Sequence, residues 1–367
     1  MIEQLRAAFS ENAPVYLMLG GLTVGFAFGY IVYRMNFCTM GAISDFMNFA
    51  DWRRFRAWVL SAAVAILGTQ WLAYSGVLPL DKTMYLSPSL NWVGNVLGGM
   101  LFGFGMVFAG GCASRNLARV GGGDVRSLLT LVVMGIVGYM AIGGVLGPAR
   151  AALEGATSIS LAGLGPSQGL GDIFSAASGS GRAASGLIVG GAVATLLLVY
   201  VFSSTAFRAS PMHVWSGIGV GICVVAGWAI TGLAFDELAD TPVAPISLTY
   251  VRPAGDTLEW LQRYTALGLP GFGVASVFGA LLGSFTAAWS MGRFQITTFS
   301  DTGDTLRNLF GATLMGIGGV MALGCTVGQA VTGVSTLAIG SFLTFAAIVA
   351  GGVYGMKAFE RIVMAEA

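Results

Sequence analysis

Two glycine-rich segments end on the same residue pair: Asn95–Cys112 (NVLGGMLFGFGMVFAGGC) and Asn308–Cys325 (NLFGATLMGIGGVMALGC). Aligned from Asn to Cys without a gap, they are identical at nine of 18 positions. Such self-similarity predicts a duplicated unit in which an apolar helix ends at Gly-Cys. Two simpler readings stay open: a chance likeness of glycine-rich helices, or a duplication in which the cysteines are inherited without a function.

The composition around these segments is that of a membrane protein. Of the 367 residues, 55% are hydrophobic and 10% are charged, with a mean hydropathy of +0.79 and 56 glycines. Soluble domains carry about 25% charged residues, and membrane helices tolerate glycine and use it for close packing. The net charge of +1 provides no global field that would attract nucleic acid.

The apolar runs predict an all-α integral membrane protein that forms one membrane domain over residues 1–367. A span needs about 20 apolar residues, and nine runs qualify. The connections 149–183 and 235–268 are long, and the second is expected to hold a short surface helix. The predicted spans are 14–34, 57–78, 92–110, 127–147, 184–203, 213–233, 269–290, 307–324 and 334–356.

The distribution of basic residues predicts the orientation in the bilayer. Twelve of the 18 Lys and Arg residues lie in segments that follow odd-numbered spans. Because cytoplasmic loops are enriched in Lys and Arg, the C-terminus is expected in the cytoplasm and the N-terminus outside. The twelve are Arg34, Arg53, Arg54, Arg56, Arg115, Arg119, Arg126, Arg208, Arg293, Arg307, Lys357 and Arg361.

The repeated helix is the third span in one half and the eighth in the other. An odd offset of five spans inverts the second copy, so Cys112 should face the cytoplasm and Cys325 the outside, as in transporters built from inverted repeats. We therefore predict a first repeat over 14–148, a linker loop with an intervening helix over 149–212, and a second repeat over 213–356. A fainter echo relates 37–45 to 294–301.

A small, polar stretch follows each Gly-Cys pair and is too short to cross the membrane and return. Broken backbone survives at membrane depth only where protein or a watery cavity satisfies it, so the breaks at Gly111 and Gly324 predict short re-entrant helices. Their amino ends would direct N–H groups at an anion. After Cys325, the neutral side chains of Thr326, Gln329 and Ser335 are candidate hydrogen-bond donors.

The remaining candidates are thiols and one arginine. Cys38, in a polar interruption of the first apolar run, joins Cys112 and Cys325 as a candidate substrate-path residue, whereas Cys223 lies in an uninterrupted apolar run. Buried cysteines are also ordinary small hydrophobic residues. Arg115 either attracts an anion or anchors the cytoplasmic side. The cysteines form no CxxC pair and His213 lies far from them in sequence, so no metal or other cofactor is predicted.

Three motifs, NFCTMGAISD around Cys38, GGCASRNLARVGGG around Cys112 and GCTVGQAVTGVSTLAIGS around Cys325, resemble the YeeE/YedE sulfur-transport family of bacterial inner-membrane proteins. The resemblance covers nearly the whole chain. It implies nine membrane helices with short half-helices in an hourglass-like monomer. It also implies that thiosulfate passes from Cys325 to Cys112 and Cys38 by transient hydrogen bonds.

The resemblance further implies a separate TusA-like sulfurtransferase in the cytoplasm as a partner. It leaves other sulfur or selenium species open as substrates. Two further classes of function stay open. One is a membrane thiol-redox or sulfurtransferase enzyme that forms a persulfide, which the missing CxxC pair disfavours. The other is a channel or structural membrane protein whose cysteines are inert. On balance we expect a transporter and not an enzyme.

Overall fold

The computed structural model describes residues 6, 9, 12–237 and 243–366, and most of these are helical. Besides the helices there are two short antiparallel strands, β1 (Ser89–Leu90) and β2 (Ile159–Ser160), and a 3-10 turn at Leu80–Lys82. The α-helices are α1 Ala13–Arg34, α2 Thr39–Phe49, α3 Arg53–Tyr74, α4 Trp92–Phe108, α5 Ala113–Gly121, α6 Val125–Ile142, α7 Gly147–Thr157, α8 Leu170–Ser178, α9 Arg182–Phe202, α10 Thr205–Arg208, α11 Pro211–Leu233, α12 Val251–Leu267, α13 Phe272–Ser290, α14 Thr302–Met321 and α15 Ile339–Glu366.

The all-α membrane class predicted from the sequence is confirmed. In the described residues, eight helical stretches are long and apolar enough to cross a membrane, and each overlaps a predicted span. The remaining predicted span, 307–324, corresponds to α14, whose first turns are polar (TGDTLRN) and which does not meet the same criterion. The total of nine spans stays a prediction.

The duplicated unit recurs in the local backbone. Helix α4, the break at Cys112, short α5 and α6 correspond in the alignment of the two copies to α14, the break at Cys325, a short helix with a π turn (Gly328–Gly333) and α15. Helices of the two copies also pack against each other: α4 of the first copy lies against α15 of the second, and α6 of the first lies against α14 of the second. Likewise, α1 packs on α13 and α3 packs on α11. The inverted relation of the two copies, the repeat bounds and the hourglass shape stay predictions.

The fainter sequence echo between 37–45 and 294–301 has no structural counterpart. Residues 39–49 form helix α2, whereas residues 293–300 are irregular and bond through the backbone to Gly122 and Gly123. Their likeness extends over only a few residues, with a slip in register, and does not include the helical continuation. The echo therefore stays a likeness of sequence alone.

Close backbone contact between membrane helices explains much of the glycine content. At Gly29 of α1 a β-carbon would overlap the carbonyl of Ala280 in α13, and at Gly103 of α4 it would overlap that of Ile348 in α15. Small residues let membrane helices approach closely where no hydrophobic effect drives them together. The two central helix pairs therefore depend on glycine at their crossing points.

Helix α12, in the connection predicted to hold a surface helix, lies at the surface only in its second half. Its start is buried, with Tyr250 and Val251 nearly inaccessible, whereas Leu261 and Tyr264 near its end are exposed. Helix α2 shows the same gradient, from buried Cys38 to exposed Phe49. The connection that precedes α12 includes residues 238–242, which lie outside the described residues. Two short helices thus begin inside the protein and run toward its surface.

Candidate functional site

Each of the three candidate cysteines stands at the amino end of a short helix. Cys38 precedes α2, and its Sγ accepts the backbone N–H of Gly41 at 3.3 Å. Cys112 precedes α5, with its Sγ 3.3 Å from Ser114 Oγ. The Sγ of Cys325 accepts the N–H of Gly328 at 3.4 Å. The positive ends of helix dipoles favour negative charge, so each thiol lies where the backbone favours an anion.

The two repeated breaks adopt the same backbone conformation. Gly111 and Gly324 have φ of +153° and +157°, and the preceding residues, Gly110 and Leu323, have φ of +69° and +58°. Side chains disfavour these regions strongly, so glycine at 111 and 324 is what permits the turn. The glycine before Cys112 and before Cys325 is therefore a conformational requirement of the two breaks.

A side-chain amide closes each break. Asn116 Nδ2 donates to the carbonyl oxygen of Gly111 at 2.8 Å and, more loosely, to that of Ala109 at 3.4 Å. Gln329, its equivalent in the second copy, donates through Nε2 to the carbonyl of Ala322. These bonds satisfy carbonyls that the helix end leaves free. The sequence pointed to Gln329 but not to Asn116, although the two occupy equivalent places in the repeat.

The three neutral donors predicted after Cys325 have different positions in the structure. Gln329 uses its N–H on the break, so its donor does not face a free site. Ser335 donates to the carbonyl of Thr332 at 2.6 Å and accepts from Trp228 Nε1 at 3.1 Å, so its hydroxyl is occupied by the fold. Thr326 is fully buried, and its Oγ1 has no hydrogen-bond partner among the described residues. Only Thr326 keeps the free donor that the sequence suggested.

The cysteines are buried and form a series. Cys38, Cys112 and Cys325 are 8%, 1% and 0% exposed, and all are free thiols. Cys112 is near enough to both Cys38 and Cys325 for electrostatic interaction. Cys223 is also buried, but inside the continuous helix α11, where it caps nothing. The structure thus brings together the three candidates, with Cys112 in the middle, and leaves Cys223 out.

A basic pocket of about 370 Å³ lies beside the Cys38 end of this series. Arg115, half-buried on α5, is close enough to Cys38 to interact with its thiol, and among the described residues no ion pair or hydrogen bond of its guanidinium is found. Sequence reasoning singled out Arg115 but not its neighbours. The lining residues are Tyr33, Arg34, Asn36, Arg115, Arg119, Gly122, Asp124, Arg293, Gln295 and Thr297.

One arginine of this pocket belongs to the framework. Arg119 donates to the carbonyl of Gly110 at 2.9 Å and pairs with Asp124 at 2.5 Å. Burial opposes ionisation of the Asp124 carboxyl, but Arg119 and Arg126 outweigh that effect and hold its pKa below the usual value. Arg119 therefore ties the break at Gly110 to the turn before α6, and its charge is largely neutralised.

A second pocket, of about 450 Å³, opens beside the other end of the series. It reaches Thr336 and Leu337, which directly follow the short helix that begins at Cys325, and it includes the ion pair of Asp172 with Arg182 at 2.7 Å. Gln70, also in its lining, donates to the carbonyl of Ser335 at 2.9 Å. One pocket thus lies beside Asn36 and Arg115, near Cys38, and the other reaches the far end of the short helix that begins at Cys325.

Membrane helices interrupted by short helices with buried thiols at their amino ends are typical of membrane transporters. The family model described as sulphur transport matches residues 34–354, and the chain belongs to that family. It is 27% identical to the thiosulfate transporter TsuA of Spirochaeta thermophila over 330 residues, which cover 88% of this chain and 93% of the relative.

Other relatives carry similar names. TsuA of Escherichia coli, also named a thiosulfate transporter, is 27% identical over 339 residues, 85% of this chain and 86% of its own. The probable transporter YedE of Escherichia coli is 33% identical over 102 residues, only 28% of this chain and 24% of its own. The chain is therefore a sulfur-transport membrane protein, as the sequence predicted.

Proposed function

We propose that this protein takes up thiosulfate across the bacterial inner membrane and is a transporter and not an enzyme. Thiosulfate enters beside Cys325, passes Cys112 and leaves past Cys38, held at each point by transient hydrogen bonds. The observation that carries the proposal is the series of three buried thiols, each at the amino end of a short helix. The full-length relatives named as thiosulfate transporters support the choice of substrate.

The chemistry of the thiol series is suited to a transported anion, which must bind and then be released. Helix ends and thiols stabilise negative charge without a fixed counter-ion, and a thiol is a weak donor and acceptor. Conduction requires binding that is favourable enough for entry and loose enough for release. A series of neutral, shallow sites meets that condition better than a buried lysine or arginine would.

The two pockets give the proposed path its ends. In the topology predicted from the basic residues, the pocket at Arg182 opens outside and the pocket at Arg115 opens to the cytoplasm. The N-terminus is then outside and the C-terminus cytoplasmic. Positive charge at Arg115 and Arg293 attracts the anion to the inner end. A separate TusA-like sulfurtransferase consuming thiosulfate there would keep the flow inward.

Uptake of labelled thiosulfate into cells that lack their own route tests the proposal. Cys325→Ala and Cys112→Ala should each reduce uptake to near background, while Cys223→Ala, an equally buried cysteine outside the series, should retain it. Full uptake in both of the first two variants contradicts the relay. A stable mass increase on Cys325 or Cys112 after exposure to thiosulfate would instead indicate persulfide chemistry.

A further inference from the structure

Several buried hydroxyl groups near Cys325 lack hydrogen-bond partners, and Tyr85 and Thr326 carry two of them. Tyr85 is 3% exposed and Thr326 is 0% exposed, yet neither Tyr85 Oη nor Thr326 Oγ1 has a hydrogen-bond partner within the part of the chain that the structure describes. Buried polar groups are nearly always paired, and an unpaired one calls for an explanation, such as a ligand that completes it. Both groups belong to the same neighbourhood, since Thr326 follows Cys325 directly and Tyr85 interacts electrostatically with its thiol.

Tyr85 is held firmly although its hydroxyl is unpaired. Its ring packs edge-on against Trp228, with ring centroids 6.3 Å apart. Its carbonyl accepts a hydrogen bond from Gln168 Nε2 at 2.9 Å, and Gln168 Oε1 accepts the N–H of Gly340 at 3.1 Å. Gln168 therefore links the loop that carries Tyr85 to the start of α15. The fold fixes the ring so that its hydroxyl stays near Cys325 without using that hydroxyl for its own stability.

A similarly unpaired hydroxyl lies at the other end of the thiol series. Thr39 follows Cys38 as Thr326 follows Cys325, and its Oγ1 is likewise buried without a partner among the described residues. At the middle position Ser114 contacts the Cys112 sulfur itself. The pairing of a capping thiol with an unused hydroxyl thus occurs at both ends of the series, which argues against an accident of packing at Cys325.

We propose that Tyr85 and Thr326, together with Cys325, form the first binding site for a sulfur oxyanion. The inference rests on the proposed transport function and adds the residues that recognise the substrate. An oxyanion offers only acceptors, and the two hydroxyls offer hydrogens that nothing else in the described structure uses. They bind the oxygens, while the polarisable sulfur of Cys325 faces the terminal sulfur of thiosulfate. The site carries no positive side chain, so the anion is recognised but not trapped.

Binding of sodium thiosulfate to the purified full-length protein in detergent tests this site. Tyr85→Phe keeps the ring against Trp228 and removes only the hydroxyl, and Thr326→Val removes the other with little change in shape. Loss of a hydrogen bond to a charged ligand should weaken binding about tenfold in each variant. Tyr354→Phe, on a side chain that is 61% exposed, should bind like the wild type.

The midpoint temperature of thermal unfolding distinguishes a loss of thiosulfate binding from a destabilised fold. Without thiosulfate, Tyr85→Phe should unfold at the same temperature as the wild type or slightly higher, because an unpaired buried hydroxyl is gone. The stabilisation caused by added thiosulfate should shrink. Unchanged affinity in both variants, or a lowered midpoint with unchanged affinity, overturns the site and leaves the transport proposal standing. If the wild-type protein neither binds nor transports thiosulfate, the proposed function itself falls, and the site falls with it.

Discussion

Asn116 and Gln329, at equivalent positions of the duplicated unit, hold the two helix breaks in the same way. Each side-chain amide donates a hydrogen bond to the carbonyl of an alanine before the break, Ala109 in one copy and Ala322 in the other. The candidate cysteines Cys112 and Cys325 lie between these partners. The position of each thiol therefore depends on an amide one helical turn farther along the chain.

Replacing Asn116 by Ala should destabilise the protein markedly. Asn116 donates to the carbonyls of Gly111 and Cys112 and accepts from Ser127 Oγ at 2.9 Å, all in buried surroundings. Leaving such groups unpaired costs about 1–3 kcal/mol of unfolding free energy. Chemical unfolding in detergent measures it, with Asn48→Ala on the exposed face of α2 as the control. An equal loss of unfolding free energy in the two variants would contradict a specific role of Asn116 in holding the break.

The glycines before the cysteines should not tolerate alanine, and Gly111 should tolerate it less than Gly324. Both have positive φ, which costs roughly 1–2 kcal/mol for an L-residue. At Gly111 the new β-carbon would also lie 3.0 Å from Arg115 Cγ, whereas at Gly324 the nearest atom is 3.4 Å away.

Gly155 provides the matched control, because its added β-carbon meets nothing within 4 Å inside helix α7. Gly155→Ala should therefore raise the unfolding free energy by about 0.5–1 kcal/mol. The three variants are compared by chemical unfolding. The backbone account fails if Gly111→Ala and Gly155→Ala shift stability in the same direction.

Removing the charge of Arg115 should slow uptake several-fold at low thiosulfate concentration. Its guanidinium is close to Cys38 and is the candidate attractant for an anion at the inner end of the path. Arg115→Gln is compared with Arg208→Gln, a variant of an exposed arginine that bonds to Thr205 Oγ1. Equal uptake in both would assign Arg115 to membrane anchoring, the other reading of its sequence position.

Acid should destabilise the pocket that contains the ion pair of Asp172 with Arg182. Burial opposes ionisation of this carboxyl, but hydrogen bonds from Arg182 and Ser167 prevail and lower its pKa from the ordinary 3.8. A lowered pKa contributes stability that is complete above 3.8 and is lost as the pH falls through the folded value. Thermal unfolding between about pH 5 and pH 2 should show this loss, and Asp172→Asn should flatten it. A variant with the wild-type slope would exclude the ion pair as its cause.

Much of the fold was predictable because the bilayer imposes simple rules. Apolar runs of sufficient length marked the membrane helices, and the ungapped repeat marked the breaks at Cys112 and Cys325. Helix α14 was predicted as an apolar run over 307–324, but its polar first turns keep it from meeting the length and hydropathy criterion that the other eight stretches meet. The half-buried course of α12 could not be predicted, because its sequence is amphipathic and the packing of its first turn against distant helices decides its depth.

The roles of individual polar side chains were less predictable. Gln329 and Ser335 look alike as neutral donors in the sequence, yet their partners Ala322 and Trp228 are set by the tertiary structure. Tyr85 lies outside the aligned segments 95–112 and 308–325 and far from Cys325 in the sequence, and only folding brings it to that thiol. Composition and periodicity contain no signal for such a contact.

The burial of the thiols has a kinetic consequence. Cys325 presents no surface to solvent, so neither substrate nor a thiol reagent reaches it until neighbouring segments move. Access to Cys325 is closed in the described conformation, so the proposed passage of thiosulfate begins with a transient opening. Alkylation of Cys325 under excess reagent would then proceed at the rate of that opening, independent of reagent concentration. The alkylation rate would therefore measure the opening rate.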